Sequence, residues 1–159
     1  MSAAAEHPSA SPGWMDRVTN LLGGTRVLHC RLRNPLEAHD MLVSGLPNAA
    51  LINLISHLTV LRTTDLLETA LGMSLRTFQR RQGADSKPLN PEQSARTWKF
   101  AEILAKATEV FGTQEEAERW MQRPAMALEQ RRPIDLMTTP AGVELVEDCL
   151  QRLEYGVYA

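Results

Sequence analysis

Residues 64–82 read TDLLETALGMSLRTFQRRQ, and the fold turns on how this stretch is read. Two short amphipathic segments flank Gly72: Leu66, Leu67, Ala70 and Leu71 before it, then Met73, Leu75 and Phe78 after it. That layout predicts a helix-turn-helix. Thr64 or Asp65 is placed to cap the first helix with Glu68 as the back-bonding partner, Gly72 supplies a left-handed turn residue, and Ser74 caps the second helix. With Phe78 turned inward, Arg76, Thr77, Arg80 and Arg81 fall on or near the outer side, so the second helix offers three guanidinium groups and no acid. A charged outer face is usually no more than a solvated face. Two capped helices around a glycine turn, with an all-positive outer side, point instead to a phosphate-lined groove, with Ser74, Arg76, Thr77, Arg80 and Arg81 as the DNA contacts. Glu68 stands four residues before the turn glycine, where this motif most often has alanine, and predicts a different crossing of the two helices.

Upstream, Asn48 is placed to cap a helix with Leu51, Ile52, Leu54, Ile55 and Leu58 on one face. Before that, Asn34 and Pro35 open a helix carrying Leu36, His39, Met41, Leu42 and Val43, which stops at Gly45-Leu46-Pro47. The alternating segment TRVLHCRLR at 25–33 fits a short strand or an extended basic arm along DNA, and fits an ordinary solvated connection as well. A first helix begins near Trp14, with Met15, Val18, Leu21 and Leu22, and halts at Gly23 and Gly24. Residues 1–13, rich in Ala, Ser and Pro, read as a disordered arm.

Downstream, the polar link GADSKPLNP at 83–91 is the best candidate domain boundary, which makes 14–90 an N-terminal helical domain and 91–159 a C-terminal one. Asn90, Pro91 and Gln93 form a capping box for the longest helix, Pro91 to about Phe111, whose apolar stripe is wide enough to serve more than one neighbour. Gly112 ends it, and Thr113 with Glu116 reads as a second capping box before Ala117, Trp120 and Met121. Trp98 and Trp120 read as core anchors rather than the walls of a ligand pocket. Residues 125–138 read as short helical turns around Pro133, and Thr139-Pro140 begins a last helix with Val143, Val146, Cys149, Leu150 and Leu153 on one face. The chain then ends LEYGVYA. Two aromatics and a valine within its last five residues ask to be buried, either in the protein's own core or in a partner's cleft.

At 159 residues, 43% hydrophobic and 23% charged, the chain has the composition of a soluble globular protein of one ordinary or two small domains. Its start lacks the pattern of a signal peptide and no run reaches a bilayer span, so a cytoplasmic protein with no membrane partner is expected. Cys30 and Cys149 are too few and too far apart for a disulfide framework, and the four histidines are scattered without metal-ligand spacing. His39 and His57 read as packing residues at the margins of apolar faces. His57, Glu68 and Asp85 have no spacing that assembles a nucleophile, base and orienter, and no glycine-rich phosphate loop follows a strand, so no catalytic residue, metal or cofactor is expected. The net charge of −2 divides unevenly: residues 1–90 carry nine basic and seven acidic side chains, residues 91–159 eight and twelve. A positive half with the arginine helix, joined to an acidic half, suggests two jobs.

From Trp14 to the end the chain resembles the Xre-type antitoxins of RES–Xre toxin-antitoxin modules, which share the Xre/MbcA/ParS-type toxin-binding domain. The resemblance rests on LLGG at 21–24, GLP at 45–47, ALGMSLRTFQRR at 70–81, LNPEQSAR at 89–96, EVFG at 109–112, RWMQRPAMAL at 119–128, RRPIDLMTTPAG at 131–142 and VEDCLQRLEYGVYA at 146–159. It implies an all-α protein: an N-terminal Cro-like helix-turn-helix domain that represses its own operon, then a C-terminal helical domain that neutralises an NAD-degrading RES-domain toxin. It also implies that the C-terminal tail bars the toxin's nucleotide pocket through Arg152, Glu154, Tyr155, Gly156, Val157 and Tyr158. Operator DNA, the toxin and a second copy of the chain are the expected partners. The alternative is a helix-turn-helix regulator whose C-terminal half only dimerises or senses a small ligand.

Overall fold

The structure, a computed structural model, describes residues 13–82 and 87–156 and places eight α-helices among them: α1 (Gly13–Leu21), α2 (Gly24–Leu28), α3 (Pro35–Ser44), α4 (Asn48–His57), α5 (Leu75–Gln82), α6 (Pro91–Phe111), α7 (Gln114–Gln122) and α8 (Pro140–Glu154). A π-helical segment, Asp65–Ala70, precedes α5, and two 3-10 segments, Met126–Leu128 and Pro133–Thr138, connect α7 to α8. Residues 1–12, 83–86 and 157–159 lie outside the described residues, and with them most of the expected N-terminal arm, part of the polar link, and Val157 and Tyr158. The fold is all-α, as expected; the one β feature among the described residues is an isolated antiparallel bridge between Ala125 and Arg131.

The long helix α6 is the spine. Its start is fixed by a complete capping box, with the Asn90 side chain accepting from the Gln93 backbone N–H at 2.7 Å and the Gln93 side chain accepting from that of Asn90 at 3.3 Å. Gly112, at φ 91°, ends it in the left-handed conformation that a Cβ disfavours. Between these stops Trp98, Phe100, Ala101, Ile103, Leu104, Ala105 and Ala107 are all buried, and the helix packs against α1, α3, α7 and α8. Each large apolar side chain so buried contributes about 1.5–3 kcal/mol. A helix apolar over so much of its circumference belongs at the centre, and one continuous core results, from Met15 and Leu22 through Leu51 and Phe78 to Met121 and Leu150. The Lys106 ammonium lies 4.7 Å from the centre of the Trp14 ring, which adds a cation–π contact between α1 and α6. Trp98 is buried, and Trp120 packs against the core with its ring 5.5 Å from that of Phe111, as core anchors should.

Sequence blocks far apart in the chain meet in pairs. Leu46, from the Gly45-Leu46-Pro47 turn, donates its N–H to the Ser94 hydroxyl on α6 at 2.9 Å, and its carbonyl accepts from the Leu89 N–H at 2.9 Å. In the first turn of α8, which Thr139 caps by accepting from the Gly142 N–H at 3.0 Å, Gly142 presses on the preceding 3-10 segment. A Cβ there would lie 1.9 Å from the Leu136 carbonyl oxygen, so the backbone itself would have to move. Gly142→Ala is accordingly expected to cost about 2 kcal/mol, the usual penalty of overpacking, and to lower the melting temperature by about 4–8 °C in a calorimetric scan.

Several local expectations are corrected. Residues 24–28 form the short helix α2, and His29, at φ 56°, turns the chain out of it; this is neither a strand nor an extended arm. Leu28 is buried, so packing rather than the basic–apolar alternation decides the segment. On α3, Leu36 and Val43 are 68% and 59% exposed and His39 is exposed too; the helix leans on its neighbours through Ala38, Met41 and Leu42. His57 is also exposed, with Nδ1 2.8 Å from the Asn53 carbonyl oxygen. Asn48 does not cap α4. It is nearly buried, and its side-chain amide instead donates to the Arg81 carbonyl at 2.8 Å, tying the start of α4 to the last turn of α5. The Thr113 cap is one-sided: its hydroxyl accepts from the Glu116 N–H, but the Glu116 carboxylate pairs with Arg119 instead of turning back to the cap.

Candidate functional site

Ser74 begins α5 as its composition demands, its hydroxyl accepting from the Thr77 N–H at 3.1 Å and donating to the Thr77 hydroxyl at 2.9 Å. Phe78 is 4% exposed and pins the helix to the core. Gly72, at φ 63°, makes the turn. The segment ahead of the turn departs from the expected capped α-helix: Leu71 N–H donates to the Leu66 carbonyl at 3.0 Å, five residues back, and no side chain caps Thr64–Asp65. In this winding Leu66, Leu67, Ala70 and Leu71 all enter the core. It also leaves Glu68 exposed, so the acid does not stand between the two helices.

The cations of α5 divide into two kinds. Arg76 and Arg80, one turn apart, are exposed, and among the described residues they make no hydrogen bond or ion pair. Arg81 is half-buried, and its guanidinium donates to the Lys87 carbonyl at 3.3 Å and to the Gln93 side chain at 3.5 Å. It therefore joins the end of α5 to the start of α6, and the line of Arg76 and Arg80 is the free basic edge.

Two side chains that sequence reasoning did not single out hold this motif against the C-terminal half. Arg96, on α6, lies so close under the turn that a Cβ on Gly72 would fall 2.3 Å from its Nη1, while Nη2 donates to the Thr138 carbonyl at 3.0 Å. Glu118, on α7, is fully buried, and its carboxylate accepts from the backbone N–H groups of Thr59, Val60 and Leu61 at 2.9, 3.1 and 3.0 Å. The Thr59 hydroxyl adds a bond of 2.8 Å and the Gln114 amide one of 3.0 Å. Three successive amides converging on one carboxylate fix the loop that feeds the π-helical segment. The available signal was periodicity, since Gln114, Ala117, Glu118 and Met121 share one face of α7 and that face is the buried one. The same segment also rests on the 3-10 turn Pro133–Thr138, where Arg132 forks onto Asp135 through two bonds of 2.8 Å and reaches Asp65 at 3.7 Å. Hydrogen bonding by Arg132 holds the Asp135 carboxyl below its usual range.

At the other end, α8 closes with the Tyr155 N–H donating to the Gln151 carbonyl at 3.1 Å and Gly156 at φ 67°. Arg152, Glu154, Tyr155 and Gly156 are all exposed, Tyr155 to 71%. Val157 and Tyr158, expected to act with them, are outside the described residues. The aromatic at 155 is thus displayed at the helix end instead of buried in its own subunit. Cys149 is buried, which pushes its thiol above the ordinary cysteine range, and like Cys30 it is free.

An all-helical fold with a braced helix-turn-helix and a second helical region ending in an exposed aromatic defines a protein of the helix-turn-helix class. Residues 37–102 match the antitoxin Xre-like helix-turn-helix domain, and residues 106–156 match the antitoxin Xre/MbcA/ParS C-terminal toxin-binding domain. The chain belongs to the Xre-type antitoxins. It is similar to the antitoxin Xre of Yersinia enterocolitica, 28% identical over 138 residues that cover 85% of this chain and 93% of that one. It is also similar to the antitoxin Xre of Pseudomonas putida, 28% identical over 79% of this chain and 76% of the relative, and to that of Photorhabdus laumondii, 27% identical over 74% and 78%. No helix among the described residues is long and apolar enough to cross a membrane.

Proposed function

We propose that this antitoxin binds and blocks an NAD-degrading RES-domain toxin through its C-terminal domain and tail, and represses its own operon through the helix-turn-helix. The observation that carries the reading is the Tyr155 ring, 71% exposed at the end of α8 within a region matched to a toxin-binding domain. A pocket built for NAD has a cationic region for the pyrophosphate and apolar walls for the rings. Glu154 beside Tyr155, with Val157 and Tyr158 following in sequence, offers an acid and large apolar side chains that fill such a pocket without leaving a buried charge unpaired. Tyrosine brings rigid area at little rotamer entropy, which suits an anchor. Arg152 and Gly156 complete the proposed contact set, the first as a charge at the rim, the second as the turn that directs the tail.

The division of labour falls near residue 90, with residues 14–90 serving the operator and 91–159 the toxin. On the operator side, Arg76 and Arg80 contact phosphates or base edges, Ser74 and Thr77 shape the start of the recognition helix, and Arg81 sets its angle on α6. Self-association as a dimer brings two such helices to successive faces of the major groove.

The test is neutralisation in cells. Tyr155→Ala combined with Tyr158→Ala should release toxin activity, read as a collapse of the NAD pool on co-expression, while the purified variant keeps its melting temperature; equal protection by the variant would overturn the reading. The rival, a regulator that senses a small ligand, draws on the groove of about 380 Å3 between Ala70, Arg96, Lys99 and Val143. It requires instead that removing residues 154–159 leave every activity intact.

A further inference from the structure

We propose that the toxin is gripped at a second, folded site, centred on Met126 and Leu145 at the far end of α8 from the tail. This rests on the toxin-binding reading above and extends it to Met126 and Leu145, which are not among the tail contacts. Met126, at 84%, is the most exposed large apolar side chain among the described residues, and Leu145 is 53% exposed. Leu145 borders a notch of about 200 Å3 whose other walls include Ala127, Leu128 and Leu136, flanked by Glu129 and Arg131. A space of that size takes one apolar side chain, and the rim carries both signs of charge.

The loop that presents Met126 is rigid. Ala125 and Arg131 form a bridge, with the Ala125 N–H donating to the Arg131 carbonyl at 3.0 Å and the Gln130 N–H to the Ala125 carbonyl at 2.9 Å. Glu129 and Gln130, neither of them glycine, are held in succession at φ 54° and 63°. Two consecutive left-handed side-chain-bearing residues are an unusual way to build a surface turn, and such strain gathers where a surface is used. Because the loop is already ordered, Met126 enters a contact without the entropy loss of ordering it.

The occupant follows from continuity. Leu145, Asp148, Arg152 and Tyr155 recur at i, i+3, i+7 and i+10, so they share one outward face of α8, and all four are exposed. At 1.5 Å per residue the stripe runs about 15 Å from Leu145 to Tyr155. Both ends lie within the residues matched to a toxin-binding domain. A stable protein interface buries roughly 800 Å2 on each partner, more than a tail of a few residues supplies, and this face is the folded surface continuous with the tail. The partner surface that fits it has an apolar pocket for Met126, an apolar side chain for the notch, and charges complementary to Asp148 and Arg152.

The experiment compares full-length Met126→Glu, Leu145→Arg and their combination with the tail variant Tyr155→Ala/Tyr158→Ala, titrating each against a purified RES-domain toxin. Both substitutions are at exposed positions, and unchanged melting and operator binding will show that the fold is kept. The combined Met126/Leu145 variant should bind toxin at least 10-fold more weakly, mainly through faster dissociation, and the tail variant should lose inhibition independently. Toxin affinity within 2-fold of the parent, with the tail variant still defective, would overturn the second site and leave the tail reading standing. Loss of self-association with toxin affinity retained would also overturn it, assigning the patch to a second copy of this chain. If the parent antitoxin does not bind the RES-domain toxin at all, both readings fall together.

Discussion

Glu118→Ala is expected to destabilise the folded chain by about 3 kcal/mol and to lower its melting temperature by about 6–12 °C. The substitution strips the acceptor from three backbone N–H groups, the Thr59 hydroxyl and the Gln114 amide, all bonded to a carboxylate with no exposed surface. Each hydrogen bond to a charged acceptor contributes about 1.5–3 kcal/mol, and a buried donor left unsatisfied costs a further 1–3. Their sum overstates the loss, because Thr59 and Val60 are themselves exposed and water can reach them once the carboxylate is gone. Glu118→Gln keeps one acceptor oxygen but turns an amide NH2 toward donors, and should cost about half as much. Urea titration of the two variants checks both the size and the order of the effects. A Glu118→Ala midpoint matching the parent would show that the loop holds its shape without the carboxylate. Because that loop leads directly into the π-helical segment, the Ala variant should also bind operator more weakly at a temperature where it is still folded.

The second large effect is electrostatic. Arg76→Ala with Arg80→Ala should weaken operator binding by about 100-fold at moderate salt, because two guanidinium groups leave each recognition helix. Each lost phosphate contact removes about 0.9 from the slope of log K against log salt, so a dimer that loses four contacts should show a slope shallower by roughly 3–4. Melting should barely change, since both side chains are exposed and no bond among the described residues depends on them. Arg81→Ala should behave differently: a small change in salt slope, with some loss of stability as α5 comes away from Lys87 and Gln93. Identical binding of the Arg76/Arg80 variant at two salt concentrations would rule out the phosphate contacts.

The groove beside the helix-turn-helix, with Ala70 on one side and Lys99 and Val143 on the other, has its own charge arrangement. Lys99 bridges Glu102 at 2.6 Å and Glu147 at 3.0 Å, joining α6 to α8. Burial acts to lower its ammonium pKa, but hydrogen bonds and charge from the two carboxylates outweigh that and hold it above the ordinary lysine value. The cation is therefore already satisfied. A negatively charged ligand in the groove would have to compete with two carboxylates for Lys99, which counts against an anionic ligand there.

Much of this protein was legible without coordinates because helices announce their ends locally. Asn34-Pro35, Ser74, Asn90-Pro91, Thr113 and Thr139-Pro140 each mark a helix start, Gly112 and Gly156 each mark an end, and the spacing of Leu, Ile, Met and Trp between them gives the buried faces. Phe78 inward with Arg76 and Arg80 outward also follows from the helical period alone. These are interactions within one turn of chain, so the sequence determines them wherever the segment comes to lie. What only the tertiary structure decided is which polar groups serve distant partners: Asn48 spent on Arg81 instead of its own helix, Arg81 on the start of α6, Arg96 on the turn, and Glu118 on a loop 57 to 59 residues away. The π winding of Asp65–Ala70 and the exposure of Leu36, Val43 and Met126 belong to the same class. The physical reason is that a helix's period says which residues share a face but not which neighbour, solvent or partner that face will meet; only packing around α6 assigns it.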